Sequence, residues 1–163
     1  MAYYPDHSEY RYFRIGRRPG SLNVGWLEPG QDFARGTTSE CILDKLWDFC
    51  KVFTVISRGF HTCEFCPGKT IVTEQRGGAE LRLGSAEIRV FSPEGRIFAA
   101  PNLIYHDILA HQYLPPDDFL RAVCRGPGPS DPRYFSLLEE YEFEYFKTTG
   151  GILELTAEQS ACE

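Results

Sequence analysis

The stretch Arg58-Gly59-Phe60-His61-Thr62-Cys63-Glu64-Phe65-Cys66-Pro67-Gly68 decides how the rest of the chain is arranged. Two thiols stand three positions apart, and His61 precedes the first by two. A Cys-x-x-Cys loop lets both thiolates reach one ion while backbone amides turn toward the sulfurs, and Pro67-Gly68 is the kind of turn such a knuckle uses. His61 reaches the same ion if the backbone around it is extended. A tetrahedral site then needs a fourth donor from elsewhere, which ties this loop to a second element.

That donor is expected in Tyr105-His106-Asp107-Ile108-Leu109-Ala110-His111. His111 lies five positions after His106, about 140° around a helix. Two such residues do not easily share one helical face, so one of them is expected to be the ligand, and the spacing leaves open which. His106 is preferred, because His111 precedes Gln112 and Tyr113 at an expected helix end, where an imidazole suits the C-terminal dipole. The expected metal set is His61, Cys63, Cys66 and His106, and the expected ion is zinc, Zn2+. A thioredoxin-like dithiol needs a helix that starts within the motif, and Pro67-Gly68 speaks against one. The deaminase-like signature, His-x-Glu with a later Pro-Cys-x-x-Cys, is absent, since His61-Thr62-Cys63 stands in its place, and His-Glu-x-x-His is absent too. Glu64 sits inside the knuckle, where it is expected to point outward. The motif therefore reads as a closed structural site.

Working outward, Ser85–Phe91 alternates, with Ala86, Ile88 and Val90 expected inward and Glu87 and Arg89 outward. Pro93-Glu94-Gly95 turns the chain and residues 96–100 return, the strongest hairpin signal. Residues 8–15 and 22–27 read as an earlier hairpin around Pro19-Gly20. Thr37, Thr38 and Ser39 offer caps for an amphipathic helix over 39–53. Helices are expected from Pro101 to about 111 and after Pro115-Pro116. Residues 68–78 read as a loop and 126–132 as a linker. Residues 134–146 read as a helix by step, although Tyr141-Glu142-Phe143-Glu144-Tyr145 also alternates like a strand. Residues 152–155 suit a short strand. The order points to α+β: a small antiparallel sheet, three to four helices and a zinc knuckle. The expected division is a zinc-stabilised core over 1–125 and an acidic aromatic segment over 126–163, packed on that core.

The 163 residues suit one domain with a real core. No run approaches the ~20 apolar residues that span a bilayer, and no signal peptide is visible, so the expected compartment is the cytoplasm. Six cysteines there are more readily thiols or ligands than disulfides. The net charge is −6, and the eight acidic and two basic residues from Ser130 onward carry all of it. That balance argues against broad nucleic-acid binding. The Arg11, Arg14, Arg17 and Arg18 cluster is the one basic spot.

The stretches Leu22–Leu27, Arg58–Cys66, Gly84–Val90, Ala99–His106 and His111–Pro116 resemble an uncharacterised family of small bacterial cytosolic proteins that carries this same succession of blocks. The resemblance covers about residues 20–124. It implies that His61, Cys63, Cys66, His106 and His111 belong to one pattern, and it implies no reaction. The function expected is non-enzymatic: binding of another protein, such as a toxin neutralised by an immunity protein. The contact surface would be the acidic aromatic segment or the arginine-rich hairpin. The alternative is a small metal-dependent hydrolase or transferase with Glu87 beside the ion.

Overall fold

The computed structural model describes residues 2–12, 20–149 and 152–154. A four-stranded sheet forms its centre, in the order β1 (Ser21–Asn23), β7 (Ile97–Pro101), β6 (Ala86–Phe91), β3 (Val55–Ile56). β6 and β7 form the expected hairpin, with Val90 opposite Phe98. β1 runs parallel to β7, so the sheet is mixed where the sequence suggested an antiparallel one. The expected pairing of the N-terminal stretch with the next strand is present over its described part: the Tyr10 amide donates to the Ser21 carbonyl and the Asn23 amide to the Ser8 carbonyl, each at 2.8 Å. Residues 2–12 run antiparallel beside this part of the chain, with one bridge from Glu9 to Leu22 of β1 and another from Tyr4 to Trp26 beyond it. The rest of the proposed strand over 8–15, with Arg14, Arg17 and Arg18, lies outside the described residues.

Four helices surround the sheet among the described residues: α1 (Glu40–Cys50), α2 (Ile104–His111), α3 (Asp117–Arg125) and α4 (Pro132–Glu140). The Ser39 hydroxyl caps α1 by accepting from the Ile42 amide. α1 stops at Cys50, and the chain turns extended at once in β2 (Val52–Phe53), so Phe53 belongs to a strand. α2 begins three residues later than Pro101 suggested, because Pro101 ends β7 and Asn102 turns the chain. The Asn102 amide donates to the Ala86 carbonyl, and its side-chain oxygen accepts from the Gly84 amide.

Residues 72–83, expected in large part as a loop, form a hairpin: β4 (Val72–Arg76) and β5 (Ala79–Leu83), closed by Gly77 and Gly78 at φ 57° and 78°. Two consecutive positive φ values are what a tight two-residue hairpin turn requires, and glycine adopts them without strain. Arg76 ties this hairpin to α1 through Glu40 and Asp44, at 2.6 Å each.

The central strand β6 is buried along its whole length. Glu87 and Arg89 are therefore inside, contrary to the outward positions that alternation suggested. They pair with each other at 2.8 Å, and the Tyr10 hydroxyl donates to Glu87. The sheet is covered on both faces, so alternation could not separate inside from outside. After α4 the chain continues into β8 (Phe146–Thr149) and β9 (Ile152–Glu154), which join β2 in a three-stranded sheet. Tyr134, Leu138 and Phe143 are buried in the common core, while Glu139, Glu140, Glu142 and Glu144 stay exposed. No helix among the described residues is long and apolar enough to cross a membrane.

Candidate metal centre

The knuckle leaves β3 and is fixed at its root before the cysteines are reached. The Ser57 amide donates to the Ser85 carbonyl and the His61 amide to the Gly84 carbonyl, each at 2.8 Å. Gly84 makes the second contact possible. A Cβ there would lie 2.1 Å from the His61 carbonyl oxygen, and its φ of +99° is one that L side chains rarely adopt.

From this root, Cys63 turns inward and is buried, and Cys66 is half-buried. The backbone amides of Phe65 and Cys66 point at the Cys63 sulfur, as a knuckle requires. Burial outweighs those amides and pushes the Cys63 thiol up to about 11, with the nearby Asp107 carboxylate adding to the rise. Asp107 is itself pushed up to about 7 by burial.

Both histidines of α2 meet the two sulfurs. Cys63 Sγ lies 3.1 Å from His111 Nε2, and Cys66 Sγ lies 3.3 Å from His106 Nε2 and 3.4 Å from His111 Nε2. One donor atom from each of Cys63, Cys66, His106 and His111 falls within 4.8 Å of the other three. These four side chains are close enough to hold a metal ion. The angular separation along α2 does not keep the imidazoles apart. The ring centroids of His106 and His111 lie 5.3 Å apart, and both imidazoles reach Cys66.

His111 is positioned by the end of the helix. Gln112 takes the left-handed conformation, at φ 57°, and stops α2 there. The Arg35 guanidinium donates to the His111 carbonyl at 2.8 Å. The Phe65 ring packs against His111 and against Phe33. Burial, His106 and Arg35 together hold the His111 imidazole below its usual range, in the neutral form that ligates metals. His106 is oriented differently: its Nδ1 lies 2.7 Å from Glu74 Oε1 on β4. A carboxylate on the far nitrogen fixes the tautomer and leaves Nε2 free to donate its lone pair.

Of the residues expected from sequence, the structure brings Cys63, Cys66 and His106 together and adds His111. His61 is not in this group. Its backbone is committed to Gly84, and its exposed side chain lines a separate cavity with Glu87. Glu74 was not anticipated at all, because it lies in the segment read as a loop. The signal was present: Gly77-Gly78 stands between two runs in which Val72, Leu81 and Leu83 alternate with polar residues.

A family model settles what the chain is related to. The chain belongs to the DUF7919 family. That domain of unknown function matches residues 2–124. The match takes in Glu74 and all four donors and ends one residue before the end of α3, so α4, β8 and β9 lie beyond the DUF7919 region. No curated protein and no solved structure matches the chain.

Proposed function

We propose that this DUF7919 protein is a zinc-stapled binding module that acts on a protein partner and does no chemistry at its metal. The supporting observation is that four protein side chains, two thiols and two imidazoles, already surround one point. Bonds of about 2.3 Å to sulfur and about 2.0 Å to nitrogen at tetrahedral angles place neighbouring sulfur and nitrogen donors about 3.5 Å apart. The sulfur–nitrogen distances of 3.1, 3.3 and 3.4 Å suit that spacing. A two-thiolate, two-imidazole set suits zinc, and a filled tetrahedron leaves no position for substrate or water. Glu87, the carboxylate a hydrolase would use, is instead engaged by Tyr10 and Arg89.

The clamp ties the 57–68 loop to α2, and the working surface lies elsewhere. The exposed carboxylates Glu139, Glu140, Glu142 and Glu144 favour a basic protein surface, because complementary charge steers encounter. A toxin held by an immunity protein in the bacterial cytoplasm would be such a partner. The buried Tyr134 and Phe143 support the core beneath this face instead of forming the contact.

Cobalt substitution tests the metal reading. A closed two-sulfur, two-nitrogen centre gives intense tetrahedral ligand-field bands that azide does not shift, and an azide-dependent spectrum would overturn it. For the partner, the full chain and a variant with all four glutamates changed to Gln are compared in a pull-down. A protein captured equally by both would refute the acidic surface as the contact.

A further inference from the structure

The residues that place His111 reach beyond the knuckle to the N-terminal segment. Tyr113 stands two positions after His111 and is fully buried. Its amide, like that of Gln112, donates to the Asp107 carbonyl and closes the last turn of α2. Residues 34–36 hold the backbone on either side of it. The Gly36 amide donates to the Gln112 carbonyl at 2.9 Å, and the Leu114 amide to the Ala34 carbonyl at 2.8 Å. The Tyr113 ring meets Phe33 with 5.9 Å between centroids, Phe33 meets Phe65 at 5.7 Å, and Phe65 meets His111 at 5.2 Å. Tyr113 is thus linked to the ligand by two routes, the backbone at the helix end and a row of rings.

Asp6 holds the far end of Tyr113. The Tyr113 hydroxyl donates to Asp6 Oδ2 at 2.9 Å, and Asp6 Oδ1 accepts from the Gly25 amide at 2.9 Å. Gly25 is itself fixed against α2. Its φ is +74°, and a Cβ there would lie 2.7 Å from the side chain of Ile104, the first residue of that helix. One carboxylate therefore joins the N-terminal segment, the loop after β1 and the residue that follows α2. A buried tyrosine hydroxyl needs a partner, and an ionised acceptor makes the stronger bond. The next residue, His7, is anchored on α3, where its Nε2 lies 2.8 Å from Asp118 Oδ1.

We infer that Asp6 is a positioning residue for the metal centre: through Tyr113 it fixes the end of α2, and so the place of His111 Nε2 against Cys63 and Cys66. This role rests on the metal reading proposed above. By linkage, an ion held more tightly when Asp6 is docked also holds the N-terminal segment down by the same factor.

The test compares the full chain with its variants by zinc competition against a chromophoric chelator and by the spectrum of the cobalt form. Asp6→Ala leaves the buried Tyr113 hydroxyl without its acceptor. Metal affinity is expected to fall about tenfold, the lower end of what loss of a ligand-orienting partner costs, and the cobalt bands are expected to shift as the imidazole moves. Tyr113→Phe removes the same hydrogen bond but keeps the buried ring, and a similar loss is expected. Asp6→Asn keeps an acceptor oxygen and is expected to recover most of the affinity. The double variant Asp6→Ala with Tyr113→Phe is expected to lose no more than either single one, because both remove one contact. His7→Ala frees the segment from α3 but leaves Asp6 in place, and parental affinity and spectrum are expected. Parental affinity and spectrum in both Asp6→Ala and Tyr113→Phe would overturn the positioning role and leave the metal reading intact. Additive losses in the double variant, or a loss in His7→Ala equal to that in Asp6→Ala, would also overturn it, since either marks a general weakening of the fold. A parent chain that binds no metal would overturn the metal reading, and the positioning role with it.

Discussion

Glu74 Oε1 lies 2.7 Å from His106 Nδ1, and the two residues come from different elements, β4 and α2. The contact sets which nitrogen of His106 faces Cys66. Glu74→Ala removes it, and loss of such an outer carboxylate lowers metal affinity by about 10- to 100-fold. Glu74→Gln keeps an acceptor oxygen but loses the charge, so a smaller loss is expected. Competition against a chromophoric chelator measures both. Parental affinity in Glu74→Ala would show that the carboxylate does not orient the ligand.

His111 stands in the donor cluster and His61 outside it, whereas spacing alone puts His61 among the ligands. His111→Ala is therefore expected to strip the centre of a donor and to reduce the metal bound per chain after dialysis against a weak chelator. His61→Ala is expected to keep the parent's stoichiometry and its cobalt spectrum. The reverse outcome would restore the ligand set read from sequence.

Much of this arrangement was legible in the sequence. Ser39 and the apolar spacing after it announced α1, and Pro93-Glu94-Gly95 announced the β6–β7 hairpin. Cys63 and Cys66 announced the knuckle, because ligand spacing within one loop is a local property. What was not legible depended on elements far apart in sequence. The parallel pairing of β1 with β7 joins residues more than 70 positions apart, with Ser21 opposite Ile97. Glu74 reads as a polar loop residue until the hairpin places it against α2. Glu87 and Arg89 looked outward because period-two alternation marks the two faces of a strand without saying that both are covered. His111 was discounted on helical angle, which ignores the reach of an imidazole at the last turn.

Removing the metal should loosen the knuckle without unfolding the domain. The buried cluster that holds Ile88, Val90, Phe98 and Leu46 takes in Cys63 and is flanked by Cys66, but its many other members are not metal donors. The knuckle between residues 59 and 68 has few backbone partners apart from His61 and Gly84 among the described residues. Under chelation, hydrogen exchange at these amides should accelerate, while β6 and β7 stay protected. Loss of protection throughout β6 and β7 would mean that the metal is needed for the whole fold.

Gly84 is the hinge between the knuckle and the central sheet. Gly84→Ala places a methyl group 2.1 Å from the His61 carbonyl and forces a side chain into a left-handed backbone. Strain of that kind costs about 1–3 kcal/mol, with the steric displacement added to it. Urea denaturation of the metal-loaded protein should give a loss of about 3 kcal/mol, with metal affinity falling in parallel. A change under about 0.5 kcal/mol, the level of an ordinary surface substitution, would mean that the loop shifts freely.

The Glu87–Arg89 pair is the most exacting electrostatic arrangement in the core. Arg89 is 1% exposed, its guanidinium lies 4.6 Å from the Tyr10 ring centroid and 5.1 Å from that of Phe143, and its Nε has no hydrogen-bond partner. Taking two charges out of water is expensive, and their attraction offsets that cost only while both are present. Arg89→Met leaves the Glu87 carboxylate buried with Tyr10 alone, and such a loss costs about 3–5 kcal/mol. Glu87→Gln leaves the guanidinium buried without its counter-charge, which costs a similar amount. The double variant Glu87→Gln with Arg89→Met removes both charges, and it should recover most of the stability lost in either single variant. Denaturant midpoints for the four proteins complete the cycle. Additive losses, with the double variant the least stable of all, would show that the two side chains act independently and that packing, not charge compensation, holds Arg89 in the core.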